Sequence, residues 1–85
     1  MELVEKIKGV LVAAFPPPAT VNIEDDDRLE GIIGWVASPR FEGMEIIDRI
    51  DLLWGVLNKE LTREERRRVV AIVAVTPFEE VAHSA

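Results

Sequence analysis

The chain contains no cysteine and a single histidine, His83. Without cysteine there is no disulfide, no thiolate nucleophile and no thiolate metal ligand, a composition that suits a reducing compartment. A lone histidine has no second imidazole with which to share acid–base or metal work. Positive charge is also scarce. Ten Lys and Arg stand against 16 Asp and Glu, a net charge of −6. That balance counts against non-specific DNA or RNA binding, which needs clustered cations to neutralise phosphates. It also counts against attraction to anionic lipid. No apolar run approaches the ~20 residues of a membrane span, and the opening Met-Glu-Leu-Val-Glu lacks the basic start of a signal peptide. A cytoplasmic protein is expected.

What is present is globular in balance: 48% hydrophobic and 31% charged over 85 residues. One domain, residues 1–85, is expected. A chain of this size buries only about 60–65% of its unfolded surface, and small domains without disulfides or metals often gain stability by associating.

Residues 2–15 have helical period, with Leu3, Val4, Ile7, Val10, Leu11, Ala14 and Phe15 on one face. Pro16-Pro17-Pro18 must end that helix, because proline lacks an N–H and disfavours helix in the preceding residue. Residues 19–24 alternate as a half-buried strand, Asp25-Asp26-Asp27 signals a turn, and residues 29–37 form a second strand, so an antiparallel hairpin is predicted. Gly31 and Gly34 mark a bulge or a close backbone approach. Residues 44–61 predict the longest helix, with Ile46, Ile47, Ile50, Leu53, Trp54, Leu57 and Leu61 as its core stripe. Thr62-x-x-Glu65 is a capping box for a short helix. Residues 69–75 are β-branched and apolar throughout, as in a doubly covered strand. Thr76-Pro77-Phe78-Glu79 opens a last helix, and His83-Ser84-Ala85 reads as a frayed tail. The order α-β-β-α-α-β-α implies an α+β fold: a three-stranded mixed sheet with helices mainly on one face.

Within that order stand Phe41-x-Gly43, Arg49 six residues on, a helix bearing Leu57, an apolar third strand and Thr76-Pro77-x-Glu79. In these pieces the chain resembles the BolA family, by element order over nearly its whole length and by motif over residues 37–80. The resemblance implies a BolA-like, KH-like fold and a protein-binding role. In that family, histidines let the protein share a [2Fe–2S] cluster with a monothiol glutaredoxin. Here the basic Arg-His-Arg of the long helix reads Arg49-Ile50-Asp51, the third-strand histidine falls on Val70 before Ala71-Ile72, and the loop between the first strands offers only Asp25, Asp26 and Asp27. Carboxylates suit harder ions than the iron of such clusters, and valine ligates nothing. The resemblance therefore carries the fold but no cofactor. The chain is a divergent relative that kept the scaffold, or an independent protein with the same order.

Other candidate features have bland readings. The aspartate run lacks the spaced pattern of a calcium loop and reads as a solvated turn. Gly31-Ile32-Ile33-Gly34 matches the Gly-x-x-Gly of KH domains as a string, but it is apolar and lies in a strand instead of a basic loop. Arg66-Arg67-Arg68, with Arg63, reads as cations in the last turn of a short helix. Ser38 and Thr76 have no histidine base in their pattern, and Asp48 and Asp51 read as solvated carboxylates on a helix face. No catalytic group is expected.

Two features point to binding. Leu52 and Val56 form an i,i+4 apolar pair on the charged side of the long helix. Both faces of the sheet are apolar at its centre, so either a helix wraps round or a second chain covers the open face; Ile32, Val36 and Ile72 are expected on that face as a dimer or partner contact. The function expected from the sequence is a non-enzymatic protein–protein interaction module, homodimeric, acting through Ile32, Val36, Leu52, Val56 and Ile72. The alternatives are a glutaredoxin partner in [2Fe–2S] trafficking and a nucleic-acid-binding regulator.

Overall fold

A computed structural model describes the backbone of residues 2–84 and the side chains of residues 2–81. The element order is α1 (Glu2–Ala14), β1 (Thr20–Asp26), β2 (Gly31–Ala37), a 3-10 turn (Pro39–Phe41), α2 (Ile46–Glu60), α3 (Arg63–Arg67), β3 (Val69–Val75) and α4 (Pro77–Ser84). Strands lie in the order β1-β2-β3, with β1 antiparallel and β3 parallel to β2. This is the mixed sheet that a hairpin followed by a helical crossover requires. The side chain of His83, and Ala85, for which a frayed tail was expected, lie outside the described residues.

The hairpin is closed by an aspartate and not by glycine. Asp26 Oδ1 accepts the backbone N–H groups of Arg28 and Leu29 at 2.9 and 3.1 Å, an Asx turn. The strand pairing runs through Asp25 and Asp26, two residues further than alternation predicts. At Gly34, paired with Ile23, a Cβ would strike the Asn22 carbonyl and come within 2.7 Å of Ile23 Cδ1. A glycine there lets Ile23 lie flat over β2.

The core sits on the sheet face covered by α1 and α2. Ile7 and Leu11 from α1, and Phe15 just after it, meet Ile23, Ile32, Val36 and Ile72 from the sheet and Leu53, Leu57 and Leu61 from the crossover. Phe41, the last residue of the 3-10 turn, enters this core, its ring 5.2 Å from that of Phe15. Gly43 then reverses the chain at φ 78°, a left-handed conformation that costs a Cβ-bearing residue. Arg40 closes the same corner from outside. It stacks 5.2 Å over Phe15 and donates to Ala14 O at 2.9 Å, placing a cation on the negative end of α1.

Candidate functional site

The residues expected on an open sheet face lie instead at the centre of the core. Ile32 and Val36 are fully buried and Ile72 is 6% exposed. Both parities of β2 and β3 are apolar, and α1 and α2 come down on the parity that contains Ile32, Gly34, Val36 and Ile72. The face left open carries Ile33 and Trp35, half-buried, with Ala71 and Val73 beside them.

The long helix is rotated from expectation in the same way. Its inward line is Arg49, Leu53 and Leu57, and Leu52 and Val56 are half-buried against the core beside it. Three residues assigned to the core stripe are exposed: Ile46 at 71%, Ile47 at 66% and Ile50 at 43%. Apolar residues span more of this helix than one sheet face can cover, so the surplus lies in water. Phe78 and Val81, an i,i+3 pair on α4, are also exposed, as are Val70 and Val73 on β3. The exposed stripe of α2, and not Leu52–Val56, is the candidate site, and Val73 lies on the opposite face of the sheet beside Trp35. The signal in the sequence was the width of the apolar arc on residues 46–57 together with a charged residue, Arg49, inside it.

Arg49 itself is structural. Its guanidinium is buried and donates to Met44 O at 3.1 Å and to Glu79 Oε1 at 2.6 Å. Glu79 also accepts the Thr76 N–H at 2.7 Å while its own N–H donates to Thr76 Oγ1 at 3.2 Å. Arg49 and Thr76-Pro77-x-Glu79 are therefore one device: a capping box locked by a cation from another helix. The Thr76 N–H, and next the Arg49 guanidinium, hold the Glu79 carboxyl below its ordinary pKa. The second capping box repeats the arrangement. Lys6 of α1 reaches Glu65 at 2.8 Å while Glu65 takes the Thr62 N–H at 2.8 Å. There the Lys6 hydrogen bond is the larger cause of a lowered carboxyl pKa, followed by the Thr62 N–H.

The positions matching the family's cluster ligands do share one end of the sheet. Asp26 pairs with Gly31, and a Cβ on Gly31 would lie 2.6 Å from Val70 Cγ2, so the β1–β2 loop and the start of β3 flank the same strand. The side chains at this end do not fit an iron–sulfur cluster, since the loop offers carboxylates and the strand offers valine. Among the described residues no group of three or more His, Cys, Asp or Glu is arranged to hold a metal ion. The Gly31–Gly34 segment is strand, as expected. Of the α3 cations, Arg66 is occupied in donating to Leu61 O at 2.7 Å at the end of α2. No helix among the described residues is long and apolar enough to cross a membrane.

No protein-family model and no curated protein matches the sequence. Solved structures do. A Bol-like protein from Babesia bovis superposes with a TM-score of 0.69 at 20% identity, over 96% of this chain and 93% of that one. BolA1 from Arabidopsis thaliana superposes with a TM-score of 0.67 at 26% identity, over 91% of this chain and 94% of that one. Hairpin, crossover, capped helices and near-complete coverage in both directions agree: this chain has the BolA-like fold.

Proposed function

We propose that residues 1–85 are a single BolA-like protein-interaction domain that contributes no ligand to an iron–sulfur cluster and performs no catalysis of its own. The observation that carries this reading is the number of large apolar side chains left in water on α2, β3 and α4, with Ile46, Ile47 and Phe78 each more than 60% exposed. Apolar surface on this scale, on so small a chain, marks contact with other protein. A cytoplasmic setting suits a chain without cysteine.

A role beside a monothiol glutaredoxin follows from the BolA-like scaffold alone, and Val70 and the aspartate loop oppose it. Nucleic-acid regulation is opposed by the charge of −6. The test is a titration of a [2Fe–2S]-loaded monothiol glutaredoxin with this protein, read by visible absorbance and by mass in sedimentation. An unchanged spectrum supports a module without ligands, whether or not a complex forms. A shifted spectrum in a stable mixed complex would overturn the exclusion of cluster ligation.

A further inference from the structure

Among the described residues β3 bonds only to β2, so its outer edge is unpaired. Val75 O accepts the Ser38 N–H at 3.0 Å. By the period of two, Val75, Val73 and Ala71 turn their backbone groups toward β2, and Ala74 and Ile72 turn theirs outward. The strand Val-Val-Ala-Ile-Val-Ala-Val carries no charge and no proline. Charge and proline are two of the devices by which proteins protect a free edge from pairing with another chain; a bulge, a third, falls only at the start of β3, where Val70 is the extra residue between the pairings of Val69 and Ala71.

The exposed stripe of α2 belongs to that same edge. On this helix Val56, Lys59 and Glu60 line the groove shared with α1, while Leu53 and Leu57 face inward. At ~100° per residue, Ile47, Ile50 and Trp54 occupy the flank opposite that groove. α1 packs on β1 and α2 on β3, the two outer strands. The flank turned away from α1 therefore overhangs the free edge of β3.

Charge identifies the occupant. Arg67 and Arg68 immediately precede β3, are exposed, and take part in no ion pair among the described residues. Glu80, which takes part in no ion pair among the described residues, lies just beyond its other end in the first turn of α4, next to Glu79, whose carboxylate Arg49 already holds. An antiparallel copy of the strand sets the arginines of one chain beside Glu80 of the other, twice, across a two-fold axis. A stable interface needs about 800 Å² per partner, more than a strand edge supplies alone, and the α2 stripe adds to it.

We propose that two copies of this chain join through antiparallel pairing of β3 with β3, centred on Ile72, to form a continuous six-stranded sheet with the Ile47–Ile50–Trp54 flanks of the two α2 helices packed across the axis. This rests on the interaction-module reading and gives it a partner. Centring on Ile72 overlaps all seven residues and sets Ala71 of one chain opposite Val73 of the other.

The natural chain lacks cysteine, so engineered thiols report this register directly. Facing residues in the wider-bonded positions of an antiparallel pair have Cα atoms about 4.5 Å apart, within disulfide range. The full-length variants Ala71→Cys and Val73→Cys, both at exposed positions, are mixed and gently oxidised. A covalent heterodimer is expected, with little crosslinking of either variant alone. Ile50→Lys, at a site exposed in the monomer, is expected to weaken self-association more than roughly tenfold with an unchanged far-UV spectrum. Arg67→Glu is expected to weaken it too, and Glu80→Arg added to it to restore it. Self-crosslinking of one variant in place of the mixed product overturns the register. A protein that sediments as a dimer yet gives no mixed product and ignores Ile50→Lys overturns the β3 pairing but leaves the interaction module standing. A protein that stays monomeric at all concentrations overturns the pairing outright.

Discussion

Arg49 of α2 and Glu79 of α4 meet at 2.6 Å, and the carboxylate oxygen that takes the guanidinium also takes the backbone N–H of Thr76. One oxygen thus fixes the start of the last helix, the start of the crossover helix and the end of β3 together. Removing Arg49 loses two hydrogen bonds and the packing of a buried aliphatic stem. Arg49→Ala is expected to destabilise the fold by about 2 kcal/mol. Arg49→Lys should recover only part of this, because an ammonium cannot reach Met44 O and Glu79 with the same fork. Urea unfolding checks both.

The two capping glutamates make stability depend on pH. Glu65 and Glu79 both titrate lower in the folded chain than in the unfolded one. Their contribution is therefore complete above the ordinary glutamate pKa of about 4.3 and is lost as pH falls through the depressed folded values. The midpoint of thermal unfolding should hold steady from neutral pH to about 5 and drop below that. The double variant Glu65→Gln/Glu79→Gln should be less stable at pH 7 and should show a shallower acid decline. Thermal melts of both proteins across the acid range measure this.

The element order was legible because it is written in local chemistry. Pro16-Pro17-Pro18 interrupts a helix, and Thr62-x-x-Glu65 and Thr76-x-x-Glu79 each start one. The faces were not legible. On β2 and β3 either parity could be core, since Ile32 and Val36 are no more apolar than Ile33 and Trp35. The choice is made by where α1 and α2 land, which no stretch of the sequence states locally. On α2 the apolar arc exceeds what is buried, and Arg49, by its charge, looked like surface. Its burial rotates the helix, which draws Leu52 and Val56 in and leaves Ile46, Ile47 and Ile50 out.

That rotation separates two lysine substitutions. Ile32→Lys or Ile72→Lys places an unpaired charge in a dry core and should leave the chain unfolded or insoluble. Ile47→Lys places the same charge on an exposed turn and should leave the fold intact, with stability changed by less than about 0.5 kcal/mol in a monomer. Circular dichroism and solubility distinguish the two classes.

Core truncation in the crossover helix should follow burial. Leu57→Ala, at a fully buried site, is expected to cost about 2–5 kcal/mol. Val56→Ala, half-buried at the groove with α1, should cost less than about 1.5 kcal/mol. A Val56→Ala cost near zero would instead mean that α2 sits in the rotation its sequence predicts, with Val56 on the charged outer side. Gly9→Ala should stabilise α1 by about 0.5–1 kcal/mol, because a methyl there meets nothing within 4 Å.

The proposal that carries furthest is that two copies of this BolA-like scaffold meet through the β3 edge and the apolar stripe of α2. Sedimentation equilibrium of the wild-type chain alone, from low micromolar to near millimolar, tests it most directly. The expected result is a concentration-dependent rise in mass from monomer to dimer with no larger species. A strict monomer across that range would contradict it.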